Sequence, residues 1–219
     1  MAMSADKSPE TMRGLYLVSW WIVRGFLRLY LRLEARGVEN IPRRGPVILA
    51  SNHLSYLDPP VIGCLIPRVV NFLARDSLFR APVFGPVLHW YQAVPVDRES
   101  GAAGLRAILE RLHQGGAIIL FPEGTRSRDG QPLPAKPGVG MTILKSEAPV
   151  VPVRVLGTFE AFGRHQWFPW PRKVVVHFGP AESFAAARAE AATCPKPRLK
   201  QLYQEVADEL MARSAALGG

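Results

Sequence analysis

The chain has 219 residues, of which 48% are hydrophobic and 21% charged, proportions that suit one globular domain with a sizeable core. Its 19 glycines and 20 prolines predict many tight turns, and without a repeat or a low-complexity tract they exclude collagen, coiled coil and wholesale disorder. The 27 basic and 18 acidic residues give a net charge of +9, which favours polyanionic partners: anionic lipid headgroups, phosphorylated substrates or nucleic acid. Two cysteines far apart in sequence do not indicate a disulfide framework.

The segment Leu15–Leu33 is the most apolar stretch of its length, but arginines interrupt it. It lacks the cleavage site of a signal peptide, and a transmembrane helix needs about 20 predominantly apolar residues. On a helix of about 100° per residue, the arginines of this region share one stripe about 100° wide. They are Arg13, Arg24, Arg28 and Arg32. The pattern predicts an amphipathic, membrane-associated helix in the headgroup plane of an anionic bilayer. A soluble helix docked on the core and a tilted spanning helix with snorkelling arginines are the alternatives.

After Ala35, short apolar runs alternate with helical patterns. The strands are predicted at Pro46–Ser51, Val69–Ala74, Ala93–Val96, Ala117–Phe121, Pro149–Leu156 and Lys173–Phe178. The helices are predicted at Pro59–Ile66, Phe84–Tyr91, Gly101–Gln114, Gly138–Glu147 and Leu199–Ala215. This alternation is typical of an α/β fold with a mixed, mostly parallel sheet flanked by helices. We expect residues 1–34 to form the membrane-interface helical region and residues 35–219 one α/β domain.

Two features of this body are less regular. Pro152 inside the fifth predicted strand indicates an edge or bulged position, because proline has no N–H for the ladder. The segment Gly157–Arg172 holds two tryptophans and two prolines. It is consistent with a lid, with a second membrane-touching surface or with a packed loop.

The first predicted strand leads into the sequence NHLSYLD, in which His53 and Asp58 are five positions apart. On one helix that spacing would separate the two side chains by about 140°, so they can meet only across a loop. Pro59 disfavours helical backbone at Asp58, which then caps the next helix. Such a loop would let the Asp58 carboxylate accept the Nδ1 proton of His53 and leave Nε2 as a general base. A surface histidine beside a capping aspartate is the alternative.

The sequence FPEGTRS follows the fourth predicted strand. Glu123, Thr125 and Arg126 place an acceptor, a hydroxyl and a forked cation close together, and arginine suits bidentate contact with phosphate. Gly124 permits a positive φ or a close backbone approach. An ordinary polar turn is the alternative. It is the weaker interpretation because so many functional groups follow one buried strand.

Two more cations stand near strand ends. Arg98 ends the sequence VPVDR, and Lys136 precedes the N-terminus of a predicted helix, a feature that attracts anions. Alone, Arg98 would be an ordinary exposed arginine. In α/β sheets, however, ligands bind in the crevice outside the carboxyl ends of the strands, where all these motifs lie. We therefore expect Arg98, Arg126 and Lys136 to converge beside the histidine base, which suits deprotonation of a hydroxyl on a phosphorylated molecule.

These motifs resemble the signature blocks of the glycerolipid acyltransferase family. NHLSYLD is similar to the family's NHxxxxD block, and VPVDR, FPEGTRS and Val151-Pro152-Val153 resemble its next three blocks, in the right order. The resemblance covers roughly Val38 to Gly179 and is strongest to bacterial members that act on 1-acylglycerol-3-phosphate. It implies direct transfer of a fatty acyl group from acyl-CoA or acyl carrier protein to the sn-2 hydroxyl, giving phosphatidic acid.

The resemblance also implies the roles of individual residues. His53 would be the general base, Asp58 its partner, and the residues of the glycerol-phosphate site would be Arg98, Glu123, Gly124, Thr125, Arg126 and Lys136. The implied partners are a lysophospholipid, the acyl donor and the cytoplasmic face of the cell membrane, with no cofactor and no metal. Nucleic acid is not expected, because no nucleic-acid-binding motif is present. Two alternatives stay open: another lyso-lipid acceptor, such as a lyso-ornithine lipid, and a catalytically inactive basic membrane-binding protein.

Overall fold

The computed structural model of the chain describes residues 14–66, 68–82, 85–86, 88, 91, 93–96 and 101–218. Its strands are β1 (Glu34–Arg36), β2 (Val47–Ser51), β3 (Val70–Arg75), β4 (Val94–Val96), β5 (Ala117–Leu120), β6 (Val150–Leu156) and β7 (Val175–Phe178). They form one sheet in the order β1-β7-β6-β2-β5-β3-β4. Among these described strands β6 and β7 pair antiparallel and the other neighbours pair parallel. The predicted mixed, mostly parallel α/β sheet is therefore confirmed.

The helices that flank the sheet are α1 (Gly14–Tyr30), α2 (Asp58–Gly63), α3 (Asp76–Phe79), α4 (Gly101–His113), α5 (Pro137–Lys145), α6 (Thr158–Phe162), α7 (Ala185–Thr193) and α8 (Lys196–Ala215). Strand β1 and helices α3, α6 and α7 were not predicted, and α6 occupies the start of the predicted loop Gly157–Arg172. Much of the helix predicted at Phe84–Tyr91 lies outside the described residues.

The central strands are buried on both faces, which explains their unbroken apolar runs. Alternate residues of a strand point to opposite faces, so Leu49 and Ile119 pack on the face that α1 and α2 cover. Ile48 and Ile118 pack on the other face, beneath α5 and α8. The sheet is thus the middle layer of a three-layer structure, with separate apolar clusters on its two sides.

The connections around β2 and β5 create the crevice that the sequence predicts. From β2 the chain passes through α2 to β3, on one side of the β2–β5 pair, whereas from β5 it passes through α5 to β6, on the other side. The two connecting helices also cover opposite faces of the sheet. Loops that leave neighbouring parallel strands in opposite directions open a crevice at the carboxyl ends of those strands, the usual ligand site in such sheets.

The expectation that Pro152 marks an edge or bulge is wrong, because β6 lies between β2 and β7. The carbonyl of Pro152 accepts a hydrogen bond of 2.8 Å from the N–H of Gly179. The N–H and C=O of one strand residue point to the same side, so the donor that proline lacks would face Gly179, just past the end of β7. Proline is tolerated in this internal strand because its neighbour ends there.

Helix α1 packs one face on the domain. Trp20, Leu27 and the following Leu31 are buried, and the indole Nε1 of Trp20 donates to the carbonyl of Gly63 over 3.1 Å. The opposite face, an arc of about 180°, is apolar and exposed. It consists of Leu17, Val18, Trp21, Ile22, Phe26 and Leu29. Among the described residues, no helix combines the length and the apolarity needed to span a bilayer.

The arginine stripe differs from its prediction. The helix ends at Tyr30, and Arg32 lies beyond it with φ +47°, while Arg13 is outside the described residues. Arg24 turns toward the domain, where its Nη1 lies 3.5 Å from the carbonyl oxygen of Cys64 and its guanidinium 4.7 Å from the centre of the Trp20 ring. The exposed face is consequently more apolar than the sequence pattern suggests, with Arg28 at its edge.

Candidate active site

The site begins where β2 ends, at Asn52. The side-chain amide of Asn52 donates to the carbonyl of Val155 over 2.9 Å, and its oxygen accepts the N–H of Val155 over 2.8 Å. Both groups of the buried amide therefore continue the pairing of β2 with β6 by one residue. This fixes the backbone from which His53 projects.

His53 and Asp58 meet across the loop between β2 and α2. Nδ1 of His53 lies 2.8 Å from Oδ2 of Asp58, and the same oxygen accepts the N–H groups of Leu54 and Ser55, each over 2.7 Å. Asp58 is fully buried, so these donors compensate for its lost hydration. A proton on Nδ1 would be held by this carboxylate, which would leave the Nε2 lone pair of His53 available to accept another proton.

One detail of that loop differs from its prediction. Helix α2 begins at Asp58 itself, Leu57 is its N-cap, and Pro59 occupies an early position of the first turn. The Asp58 side chain therefore does not cap the helix that follows. It points back along the chain and organises the loop that precedes it, as an anchor for the histidine.

The ring of Phe121 packs against one face of the His53 imidazole. The His53 and Phe121 rings are stacked with their centroids 3.9 Å apart and their planes 18° from parallel. The stack and the hydrogen bond to Asp58 restrict the ring orientation, and only 17% of the His53 side chain is exposed. Phe121 ends the predicted fourth strand but lies one residue beyond β5, so the segment that leaves β5 supplies the surface against which the imidazole packs.

Glu123 lies inside the protein, behind the histidine. Its side chain is 1% exposed, and its Oε1 accepts the N–H of His53 over 3.1 Å, while Oε2 has no partner among the described residues. Burial raises the pKa of the Glu123 carboxyl to about 7, the nearby charge of Asp58 adds to the rise, and the His53 hydrogen bond opposes it. The observed contact is with the backbone of His53, and a direct contact with substrate stays a prediction.

Gly124 and Lys136 lie against each other. Gly124 has φ +65°, and a Cβ placed there would come within 3.3 Å of Nζ of Lys136. The N–H of Lys136 donates to the carbonyl of Pro122 over 2.9 Å, which draws the start of α5 onto the turn. Lys136 therefore stands at the N-terminus of α5 beside the FPEGTRS turn, as the sequence suggests.

Arg126 reaches back to the first motif through Tyr56. The centre of its guanidinium lies 3.3 Å from the centroid of the Tyr56 ring, which makes a cation–π contact. Its buried Nη1 has no hydrogen-bond partner among the described residues. Burial lowers the pKa of Arg126, the Tyr56 hydroxyl raises it, and the charge of Arg164 lowers it further. An arginine with an unpartnered buried N–H has a donor left for an anionic ligand.

The remaining predicted residues divide in two. Thr125 is half-buried between Gly124 and Arg126 in the FPEGTRS turn, which is joined to the first motif by a 2.9 Å hydrogen bond from the N–H of Ser127 to the carbonyl of His53. Arg98 lies outside the described residues. Among the described residues, no group of three or more His, Cys, Asp or Glu side chains could hold a metal ion.

Three further residues, Asn52, Tyr56 and Phe121, contribute to the site without a predicted role. Asn52 and Tyr56 stand in the quoted NHLSYLD sequence, and a polar amide directly before the histidine at a strand end could have indicated the anchor. Nothing in the sequence relates Tyr56 to Arg126 or Phe121 to His53, because those contacts depend on how β2 and β5 are aligned.

A family model described as Acyltransferase matches residues 32–156, more than half of the chain. The chain belongs to the Acyltransferase family. The match includes the NHLSYLD and FPEGTRS sequences together with β2, β5 and β6, the strands that carry the site. The predicted membership is therefore confirmed.

Relatives and a solved structure agree with this family. The chain is 32% identical over 133 residues to the chloroplastic 1-acyl-sn-glycerol-3-phosphate acyltransferase BAT2 of Brassica napus. That alignment covers 59% of this chain and 38% of the relative. It is 30% identical over 173 residues to a 1-acyl-sn-glycerol-3-phosphate acyltransferase of Borreliella burgdorferi. That alignment covers 77% of this chain and 66% of the relative. The crystal structure of the 1-acyl-sn-glycerophosphate acyltransferase PlsC from Thermotoga maritima superposes on this structure with a TM-score of 0.69 at 25% sequence identity. The superposition covers 94% of this chain and 82% of that chain.

Proposed function

We propose that this acyltransferase-family chain moves a fatty acyl group from acyl-CoA or acyl carrier protein to the sn-2 hydroxyl of 1-acylglycerol-3-phosphate, giving phosphatidic acid. The observation that carries the proposal is the 2.8 Å contact between Nδ1 of His53 and Oδ2 of Asp58, in the same crevice as the unpartnered Nη1 of Arg126. The names of the relatives from Brassica napus and Borreliella burgdorferi support this choice of acceptor.

The reaction needs one base and no acyl-enzyme. Nε2 of His53 takes the proton of the sn-2 hydroxyl as the oxygen attacks the thioester carbonyl carbon, and a C–O bond forms. The buried Asp58 carboxylate stabilises the imidazolium that results. When the tetrahedral intermediate collapses, the C–S bond breaks and the imidazolium returns its proton to the departing thiolate. The products are phosphatidic acid and a free thiol, with protons balanced.

The acceptor's phosphate would be held by the cations on the far side of the crevice. Arg126 has a free donor, and the Tyr56 ring fixes the plane of its guanidinium. Lys136 adds a second positive charge beside Gly124. Arg98 is proposed for the same site on the basis of the VPVDR sequence. Substrate orientation of this kind lowers the activation barrier, because the reacting atoms are held together before the chemical step.

We also infer that α1 holds the protein on the cytoplasmic face of the membrane. Its exposed apolar face would lie among the lipid headgroups and upper acyl chains, while the net charge of +9 attracts an anionic leaflet. Both the acceptor and the product are bilayer lipids, so an enzyme at the surface meets its acceptor without extracting it into water.

The direct experiment measures acyl transfer by the purified full-length chain. Lysophosphatidate in micelles is the acceptor, and long-chain acyl-CoA and acyl carrier protein thioesters are compared as donors. Replacing His53 by alanine should lower kcat by about 10² to 10⁴-fold, the usual contribution of a general base. His53→Gln, whose amide can still donate to Asp58, should lose as much activity while keeping the wild-type melting temperature. His113→Ala, an exposed histidine of α4, serves as the control and should keep full activity.

The same assay tests the acceptor site. Arg126→Ala should raise KM for lysophosphatidate by about tenfold or more, since a charge-assisted hydrogen bond contributes about 1.5–3 kcal/mol, and should leave KM for the acyl donor unchanged. Arg128→Ala, an exposed neighbour, is its matched control. An unchanged acceptor KM would remove Arg126 from the site. A better rate with another lysophospholipid or a lyso-ornithine lipid would favour that acceptor, and no transfer to any of them would favour the inactive membrane-binding alternative.

A further inference from the structure

Residues 163–172, which we call the aromatic loop, expose three large aromatic side chains within four positions. Trp167 is 99% exposed, Phe168 64% and Trp170 57%. Soluble proteins rarely place so much contiguous apolar surface in water, and such patches mark sites of contact with proteins, ligands or membranes. The proposed acyl-transfer mechanism makes no use of these side chains.

The aromatic loop is held in place by hydrogen bonds at its base. The N–H of Trp170 donates to the carbonyl of Ala161 over 2.7 Å. The N–H of Gly163 donates to Oε1 of Gln166 over 2.6 Å, and the N–H of Gln166 returns to the carbonyl of Gly163 over 3.1 Å. The two prolines of the loop restrict its backbone further. The aromatic side chains are therefore presented outward by a braced turn.

The loop itself carries basic side chains, and the nearest acidic residue before it along the chain is Glu160 of α6. The loop contains Arg164, His165 and Arg172, all exposed, and no aspartate or glutamate. The neighbouring Lys173 is already paired with Glu34, at 2.7 Å. Tryptophans at a tip with arginines at the sides match the interface of an anionic bilayer, where indole rings lie at headgroup level and cations meet lipid phosphates.

The aromatic loop is continuous with the exposed face of α1. The hydroxyl of Tyr30 donates to the carbonyl of Pro169 over 2.7 Å, and the ring of Tyr30 stacks on the exposed ring of Phe26 with centroids 5.3 Å apart. The contacts of Tyr30 thus join the exposed apolar face of the helix to the loop. A surface that is already proposed to meet lipid therefore includes the loop.

The aromatic loop is also linked to the loop between β2 and α2. Phe162, immediately before it, accepts a 2.6 Å hydrogen bond from Oγ of Ser55 through its carbonyl, and its ring lies 6.1 Å from that of Tyr56. Both Ser55 and Tyr56 belong to the segment between His53 and Asp58. A lipid contact at the loop would thereby set the height of the crevice above the bilayer.

We propose that the aromatic loop is a second membrane-inserting element, in which Trp167 and Phe168 enter the headgroup–acyl boundary of an anionic bilayer and Arg164 and Arg172 meet lipid phosphates. The inference deepens the proposed function and rests on it for the nature of the partner. Two elements in contact with one membrane, α1 and the loop, fix the tilt of the protein. A single helix would leave the protein free to rotate about that helix.

The test measures partition of the full-length chain onto vesicles of phosphatidylcholine and phosphatidylglycerol. The variant Trp167→Ser/Phe168→Ser should bind more weakly by about tenfold for each side chain removed. Ile22→Ser/Phe26→Ser on α1 is the reference for the helix, and Lys200→Ser on α8 is the control across the sheet. With brominated lipids in the vesicles, wild-type fluorescence should be quenched more than that of Trp167→Phe, because Trp167 lies at the depth of the bromines.

Activity separates the outcomes. On micellar lysophosphatidate the loop variant should keep the wild-type kcat, whereas on vesicles its rate should fall with its binding. Wild-type vesicle affinity in the loop variant, with weakened binding by the α1 variant, would overturn the inference and leave the proposed function intact. Equal binding to purely zwitterionic vesicles, or a loop-dependent dimer in solution, would also overturn it. Failure of the wild-type chain to transfer acyl groups would overturn the proposed function, and vesicle binding would still decide the role of the loop.

Discussion

Glu123 places a carboxyl group directly behind the backbone of His53, where almost no water reaches it. Burial raises the pKa of this carboxyl from its ordinary value of 4.5 to about 7. Because the folded-state pKa is the higher one, the folded state binds the proton more tightly than the unfolded state does. The protonated carboxyl therefore stabilises the fold at low pH, and that contribution disappears as the pH rises from about 4.5 through 7.

Glu123→Gln should remove this pH dependence. Glutamine keeps a carbonyl oxygen for the N–H of His53 and never ionises, so above pH 7 the variant should be more stable than wild type, by about 1–3 kcal/mol. The measurement is the free energy of unfolding in urea at a series of pH values. The difference between the two proteins should grow between pH 4.5 and 7 and then level off.

The control for this measurement is Glu39→Gln, an exposed carboxyl outside the site. The free energy of unfolding of this control variant should stay close to that of wild type at every pH. If the difference in the free energy of unfolding between Glu123→Gln and wild type is the same from acid to neutral pH, the buried carboxyl does not titrate in this range. The prediction that its pKa is raised would then be wrong.

At this scale the sequence predicts contacts only where they are local. The meeting of His53 and Asp58 could be predicted because both lie in one short loop and Pro59 restricts its backbone. The burial of Glu123 could not, because it follows from the alignment of β5 beside β2 in the folded sheet. The Tyr56–Arg126 contact has the same origin.

Among the elements, the packing of α5 on α8 determines where one wall of the crevice stands, because Lys136 is the residue from which α5 starts. The two helices approach so closely at Gly140 that a Cβ there would lie 1.9 Å from the carbonyl oxygen of Tyr203. The side-chain amide of Gln204 also donates to the carbonyl of Ala135, over 3.1 Å, just before the start of α5. The backbones of the two helices are therefore in direct contact here. An added side chain could fit only if one helix moved.

Gly140→Ala should destabilise the protein by about 1–3 kcal/mol, since α5 must move away from α8 to admit one methyl group. Gly138→Ala, in the same helix, is the matched control because no atom lies within 4 Å of its Cβ position. It should stabilise the protein by about 0.5–1 kcal/mol, the usual gain of alanine over glycine in a helix. Thermal unfolding measures both. Equal effects of the two substitutions would contradict the close contact at Gly140.

The elements that the sequence missed are those without an apolar pattern of their own. Strand β1 consists of three residues, Glu34–Arg36, at the sheet edge, and only its pairing with β7 makes it a strand. Helix α7, Ala185–Thr193, is rich in alanine and has no fully buried residue, since Ala187 and Ala191 pack only partly buried against the core, so its sequence shows no strong apolar stripe. The predicted strands that hold the site are apolar runs buried on both faces, a signal that depends on local sequence alone.

For the molecule as a whole, the two sides of the sheet differ in character. The exposed apolar residues of α1 and the aromatic loop belong to the side that α1, α2 and α6 cover. The side of α5 and α8 carries surface ion pairs, among them those of Arg198 with Glu190 and Glu205. The loop between β2 and α2, which carries His53, lies next to the apolar side. A membrane on that side would lie next to this loop.

This asymmetry predicts a binding that has an electrostatic part and an apolar part. As salt rises from about 0.01 M to 0.15 M, the Debye length falls from about 30 Å to 8 Å, and binding to anionic vesicles should weaken by about tenfold or more, since each surface-facing arginine or lysine contributes about 1 kcal/mol. A residual, salt-insensitive binding should persist. It should weaken in Ile22→Ser/Phe26→Ser and in Trp167→Ser/Phe168→Ser, and it should disappear when the two variants are combined. Arg28→Gln, at the edge of the α1 face, should weaken low-salt binding more than Lys200→Gln on α8 does. Vesicle co-sedimentation across a salt series measures each part, and equal losses from Arg28→Gln and Lys200→Gln would mean that the net charge of +9 acts without orienting the protein.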